Sequence, residues 1–216
     1  MVKTTMEKLN KIYEKIHASY FAIIGVLVFI IGLIPAILVH PDFSFLSTFI
    51  SNLGEPSSND LWIYFNALWF ITGILMIFFI FGFTQYLLEK GAYKLGTWIM
   101  CIFGVLSAVG ILGLAIFNAE DAYKMHYTSE LLFFFTGILY LFGYAALERK
   151  LSSFPKWQVI FNIIVAFFFI LYLILLIVNR INEDIAVEAR TLAEWLFLFA
   201  NLTWFVENGV FILKKK

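Results

Sequence analysis

The sequence is poor in the residues that most enzymatic sites are built from. It holds one cysteine, Cys101, three histidines and four prolines in 216 residues. A single cysteine excludes a disulfide within the chain and any Cys-x-x-Cys redox or zinc motif. His17, His40 and His126 are far apart, with no His-Glu-x-x-His pattern, so zinc-protease chemistry lacks its ligand set. No glycine-rich phosphate loop and no Gly-x-Ser-x-Gly elbow occurs. Charge is scarce as well. Only 14% of residues are Asp, Glu, Lys or Arg, and the two signs balance at 15 each. Zero net charge gives nucleic acid nothing to be drawn to. No lysine sits in the middle of an apolar run, which argues against a retinal-type Schiff base. Neither a metal nor a cofactor is expected. The one metal arrangement the residue types allow, His40 and His126 with neighbouring carboxyls, has too few ligands to be favoured.

What the chain has in abundance is apolar surface. Hydrophobic residues make up 62% of it, with 26 Phe and 6 Trp, and its mean hydropathy is +0.90. A soluble domain of this length could not bury so much; lipid can cover it. Six runs are long enough to cross a hydrocarbon core of ~30 Å. They extend roughly over Ser19 to Val39, Trp62 to Leu88, Leu95 to Phe117, Tyr127 to Leu147, Trp157 to Val178 and Thr191 to Leu213. The runs are continuous rather than alternating, so helices are expected and a β-barrel is not. The expected fold is an all-α membrane bundle of six helices over a single domain, residues 1–216.

Basic residues orient the bundle. Twelve of the 15 Lys and Arg fall in segments on the N-terminal side, and only Lys124, Arg180 and Arg190 on the other. The positive-inside rule then places both termini in the cytoplasm. Met1 to His17 mixes Lys and Glu on a helical pattern and reads as an interfacial or solvated helix. The first apolar run reads as a span rather than a cleavable signal. The longest connection, residues 41–60, is expected on the outer or lumenal face. In it Leu46, Phe49, Ile50 and Leu53 recur at helical spacing, which predicts a short amphipathic helix, stopped by Gly54 and Pro56.

Ionisable residues inside spans are costly and mark candidate sites. Glu130 and Glu194 lie just inside spans four and six. Each has a polar residue one turn earlier, His126 and Arg190. Arg190, Glu194, Phe197, Asn201, Trp204 and Asn208 fall on one helical face, which should point into the bundle, with Arg190 free to pair with Glu194. Asn66 and Asn118 lie at the same depth. Pro35 is placed to kink span one. The opposite half carries a thinner set: Gln85, Asn162 and Glu207, the last expected to pair with the terminal lysines. Candidate catalytic residues are therefore His126 and the carboxyls of Glu130 and Glu194. Ser51 is a nucleophile for which His126 would be the base. Candidate ligand-binding residues are Arg190, a natural phosphate partner, with Asn66, Asn52, Asn201 and Asn118.

Several of these residues also carry a family resemblance. Ile50-Ser51-Asn52-Leu53-Gly54 follows span one, and Phe65-Asn66 opens span two. His126 stands at the head of span four, and Ala193-Glu194-Trp195-Leu196 with Asn201 lies in the last. In these features the chain resembles the six-span superfamily of DRAM autophagy modulators, Sfk-type proteins and the Frag-type factor for GPI-anchor lipid remodelling. It also resembles a related prokaryotic family of unknown function, domain of unknown function 998. It departs at Asn52, where the family commonly has Asp. The resemblance implies lipid handling at an outer or lumenal face and brings no defined catalytic mechanism.

Three readings compete. The first is a protein that binds a polar lipid in an outward pocket, with remodelling by acyl transfer or ester hydrolysis as the chemistry open to it. The second is a tetraspan-like scaffold whose polar residues lock helices together. The third, a small transporter, ranks below them for want of inverted repeats. A membrane lipid is the expected partner, and the oligomeric state is left open.

Overall fold

A computed structural model describes residues 11–181 and 187–215. Among these residues all regular structure is helical. Six long helices follow in chain order: α1 (Ala18–Val39), α2 (Trp62–Glu89), α3 (Lys94–Ile116), α4 (Tyr123–Glu148), α5 (Lys156–Ile181) and α6 (Val187–Lys214). All six are long and apolar enough to cross a membrane, and the protein is a multi-pass integral membrane protein. Residues 11–15 are also helical. Tyr13 ties them to the bundle by donating to the Phe78 carbonyl at 2.6 Å. The rest of the expected N-terminal helix lies outside the described residues.

Each helix packs on the next, and α6 closes back on α1, so the six form a ring. Small residues set how closely the walls approach. A Cβ on Gly110 of α3 would lie 2.6 Å from the Phe133 backbone nitrogen of α4, so only glycine admits that approach. The ring has no hollow axis throughout: Tyr140, Tyr144, Tyr172, Phe79, Phe83, Phe169 and Trp204 fill it and are essentially unexposed. Leu27, Leu38, Ile102, Phe135, Phe167 and Ile174 face outward, as a lipid-facing belt requires.

Pro35 shows how lipid-embedded backbone is kept satisfied. Proline has no N–H, so the Ile31 carbonyl one turn earlier loses its helical donor. The Tyr64 hydroxyl of α2 donates to that carbonyl at 3.2 Å. At the C-terminal end of α1, Asn59 Nδ2 likewise donates to the Ala36 carbonyl at 2.7 Å.

The loop between α1 and α2 differs from its predicted form. Residues 41–60 contain no α-helix; they run as successive turns with one 3₁₀ turn at Ser51–Gly54. Short polar side chains divert the backbone. Thr48 Oγ1 accepts from the Ser44 N–H, Ser44 Oγ from the Leu46 N–H, and Asn52 Oδ1 from the Phe49 N–H at 2.9 Å. Such local bonds compete with helix formation. The apolar face survives only in part: Ile50 and Leu53 are buried, while Leu46 is exposed.

Candidate functional site

The turn geometry of the loop brings Ser51 over the end of the ring, where α4 and α6 carry their acidic residues. Span four begins at Tyr123, a turn earlier than its apolar run. His126 and Glu130 therefore sit within the first two turns of a formed helix. His126 Nδ1 lies 2.7 Å from the Phe117 carbonyl at the end of α3. A carbonyl can only accept, so Nδ1 is the donor, and in the neutral ring Nε2 is left as an acceptor. The contact also satisfies a carbonyl left over at a helix C-terminus. One turn further on, Glu130 Oε1 accepts from the Tyr172 hydroxyl of α5 at 2.5 Å.

On α6 the side chains reach for the loop. Glu194 Oε2 accepts from the Ile50 backbone N–H at 3.0 Å. Trp195 Nε1 donates to the Thr48 carbonyl at 2.9 Å, and the Trp195 ring packs edge-on against Phe43 and Phe45. The Arg190 guanidinium lies over the Phe49 ring at 4.4 Å and donates from Nη1 to Asn179 at 2.6 Å. From α2, Asn66 Nδ2 donates to the Gly54 carbonyl at 2.9 Å. A Cβ on Gly54 would fall 2.3 Å from Asn66 Oδ1, so this close approach also needs glycine. The loop is thus a roof pinned from two sides.

Beneath it lies a cavity of about 40 Å³, room for about three water molecules. Its polar lining is Ser51, Thr72, His126, Glu130, Glu194 and Asn201. Half of its apolar lining is aromatic, Phe29, Trp69, Phe133, Phe134, Phe197 and Phe205, and the other half is Ile, Leu and Met. From Glu194 to Phe205 the lining covers about 16 Å of helix, so the cavity reaches well into the bundle.

All four candidate catalytic residues, His126, Glu130, Glu194 and Ser51, line this one cavity. Of the five candidate ligand-binding residues, only Asn201 does. Asn66 pins the roof. Asn52 builds the loop turn and donates to Glu55 at 2.9 Å. Asn118 builds the turn before α4 by bonding Asp121. Arg190 is not in salt-bridge contact with Glu194, because each is committed to a different partner, though its field reaches both Glu130 and Glu194. Ser51 and His126 are not hydrogen-bonded to one another, so a serine–histidine pair is not assembled here. His40 bonds the Pro41 carbonyl, and among the described residues no cluster of His, Cys, Asp and Glu is suited to a metal.

Two participants escaped the sequence reading. One is Tyr172, which reads as one more aromatic in an apolar run. The other is Glu148, expected in a cytoplasmic connection but fully buried at the far end of α4. Its Oε2 accepts from Asn162 Nδ2 at 2.7 Å, and Asn162 Oδ1 accepts from Trp204 Nε1 at 2.5 Å. Gln158 Nε2 donates to Asn208 at 2.8 Å in the same region. Steps of four from Tyr140 through Tyr144 to Glu148 were the available signal. Glu207, expected to meet the terminal lysines, instead keeps Oε2 buried without a partner among the described residues.

Comparison with known proteins settles the family. Residues 23–209 match a family described as protein of unknown function (DUF998). The chain belongs to that family. This is the uncharacterised relative whose likeness the sequence motifs carried; the DRAM, Frag and Sfk branch is not the one matched. No curated protein and no solved structure matches the chain.

Proposed function

We propose that this DUF998 protein binds the polar head of a membrane amphiphile in the roofed cavity. The observation that carries this reading is the convergence of Ser51 from the loop, His126 and Glu130 from α4, and Glu194 and Asn201 from α6 on one aromatic-walled space. Buried ionisable groups inside a membrane bundle cost free energy, and for that reason they mark candidate sites. A graded site, polar under the roof and apolar below, suits a molecule with the same gradient. By the distribution of basic residues, the roof faces the outside or a lumen and both termini the cytoplasm. At about 40 Å³ the cavity takes only a small head. The acyl part lies between helices, and admission requires the roof to lift. Where the amphiphile is an ester, the free Nε2 of His126 is the base that acyl transfer or hydrolysis would use.

The test is to purify the full chain in mild detergent and identify copurifying lipids by mass spectrometry. One lipid class enriched over the host membrane, and lost in Glu130→Gln, is expected. A lipid profile equal to the host membrane's would defeat the proposal.

One observation favours a scaffold instead: Glu194, Trp195, Asn66 and Asn59 each spend a hydrogen bond on fastening the loop. On that reading the polar groups are clamps. Their removal would then lower thermal stability and change no lipid profile.

A further inference from the structure

Resting on the reading above, we infer that the head this cavity accepts is an ammonium group, a cationic hydrogen-bond donor, and not a phosphate. The polar lining supplies acceptors. Among the described residues, Glu130 and Glu194 each accept from a protein donor through one carboxyl oxygen, and the other oxygen has no protein donor. His126 spends its Nδ1 proton on Phe117, which leaves Nε2 as an acceptor. Asn201 is an independent witness. It is 4% exposed, lines the cavity, and its Oδ1 is buried without a partner. Glu148 Oε1 and Gln158 Oε1 at the far end are also without a partner among the described residues, but Asn201 belongs to this cavity's lining, where a bound donor would complete it.

Charge and walls agree with the hydrogen bonds. Burial works against charge on the two carboxyls, and an ammonium in the same enclosed space would favour their ionised forms. The nearby guanidinium, Arg190, stands outside the lining, over Phe49 and bonded to Asn179. Its Nε is buried without a partner among the described residues, and Arg190 is not part of the cavity lining. Trp69 and the Phe residues of the lining are side chains of the type that hold ammonium groups by cation–π attraction. At about 40 Å³ the closed cavity has room for the ammonium group itself, and a chain attached to it would have to extend between the helices or displace the roof. The same chemistry is offered by the head of an aminolipid and by a small free amine.

The test separates those sources. Full-length protein in phosphatidylglycerol nanodiscs is titrated with ethanolamine, with ethylene glycol as the uncharged analogue, and with inorganic phosphate. A second arm adds phosphatidylethanolamine to the nanodiscs and counts retained lipid by native mass spectrometry. Amine binding at least about tenfold tighter than ethylene glycol is expected. Both Glu130→Gln and Glu194→Gln should weaken it by a similar factor. Glutamine keeps the acceptors for Tyr172 and the Ile50 N–H, so both variants should fold; a thermal melt checks this. Binding in both arms assigns a free amine, and binding in the lipid arm alone assigns an aminolipid; either supports the inference. Preference for phosphate, or equal binding of ethanolamine and ethylene glycol, overturns it. If a lipid without an amine copurifies instead, this inference falls and the amphiphile reading stands. If nothing binds or copurifies, both fall.

Discussion

The two ends of the bundle draw on the same helices and a similar polar inventory, yet they are built differently. At the loop end, Glu130 of α4 bonds the Tyr172 hydroxyl of α5, Glu194 of α6 bonds the Ile50 N–H of the loop, and both line a cavity. At the other end, Glu148 of α4 and Asn208 of α6 belong to side-chain pairs with α5, in which Asn162, Trp204 and Gln158 donate to one another's neighbours. That second cluster joins three helices directly. The first joins α4 to α5 through Glu130 and Tyr172, joins the loop to α6, and encloses a cavity. A buried carboxyl in a membrane bundle can therefore be helix glue or part of a site, and its partners distinguish the two. The clearest contrast is within α4, where Glu130 and Glu148 each accept from a side chain of α5 but only Glu130 lines the roofed cavity.

The comparison can be broken by substitution, and the largest effect should come from the glue end. Trp204→Ala removes a fully buried ring and the donor to Asn162. It should cost about 3–5 kcal/mol, read as a fall in melting temperature in detergent; a melt within error of wild type would show that this end is not what holds the helices. Next, Gly110→Val forces a side chain into the α3–α4 approach and should cost about 1–3 kcal/mol, with the same readout. Glu148→Leu strands Asn162 Nδ2 and should cost a comparable ~1–3 kcal/mol, while leaving the lipid profile unaltered. At the loop end the pattern reverses. Glu194→Gln keeps an acceptor for the Ile50 N–H, so stability should fall by no more than about 1 kcal/mol, yet copurified lipid should drop. Smallest of all, Ser51→Ala should change stability by less than about 0.5 kcal/mol. Its effect on lipid turnover, if turnover is found, tells whether the hydroxyl is a nucleophile or only lining.

The fold was legible because lipid imposes simple rules. Continuous apolar runs of span length leave helices as the answer, and all six appear with ends shifted by a few residues. Glu130, Glu194 and His126 were legible because charge at that depth needs a reason. The amides were not. Asn201 faces the cavity, whereas Asn52, Asn66 and Asn118 complete turns or pin the loop. In sequence all four are single Asn residues with no motif around them: Asn66 and Asn118 near helix ends, Asn52 in the loop and Asn201 midway along span six. What separates them is whether a backbone group lies in reach, and that depends on the path of the loop. The loop itself was misread because its apolar spacing is helical while its Ser, Thr and Asn side chains bond the backbone locally. Glu148 was missed because it ends an apolar run beside basic residues, where a solvated acid is the ordinary case.

The most direct measurement compares Glu130→Gln with Glu148→Gln, two conservative changes on one helix, by mass spectrometry of the lipids each protein retains on purification. Loss of the enriched lipid in Glu130→Gln, with the wild-type profile kept in Glu148→Gln, is the result expected if the loop end is a site and the far end is glue. The same profile in both variants, whether kept or lost, would contradict it.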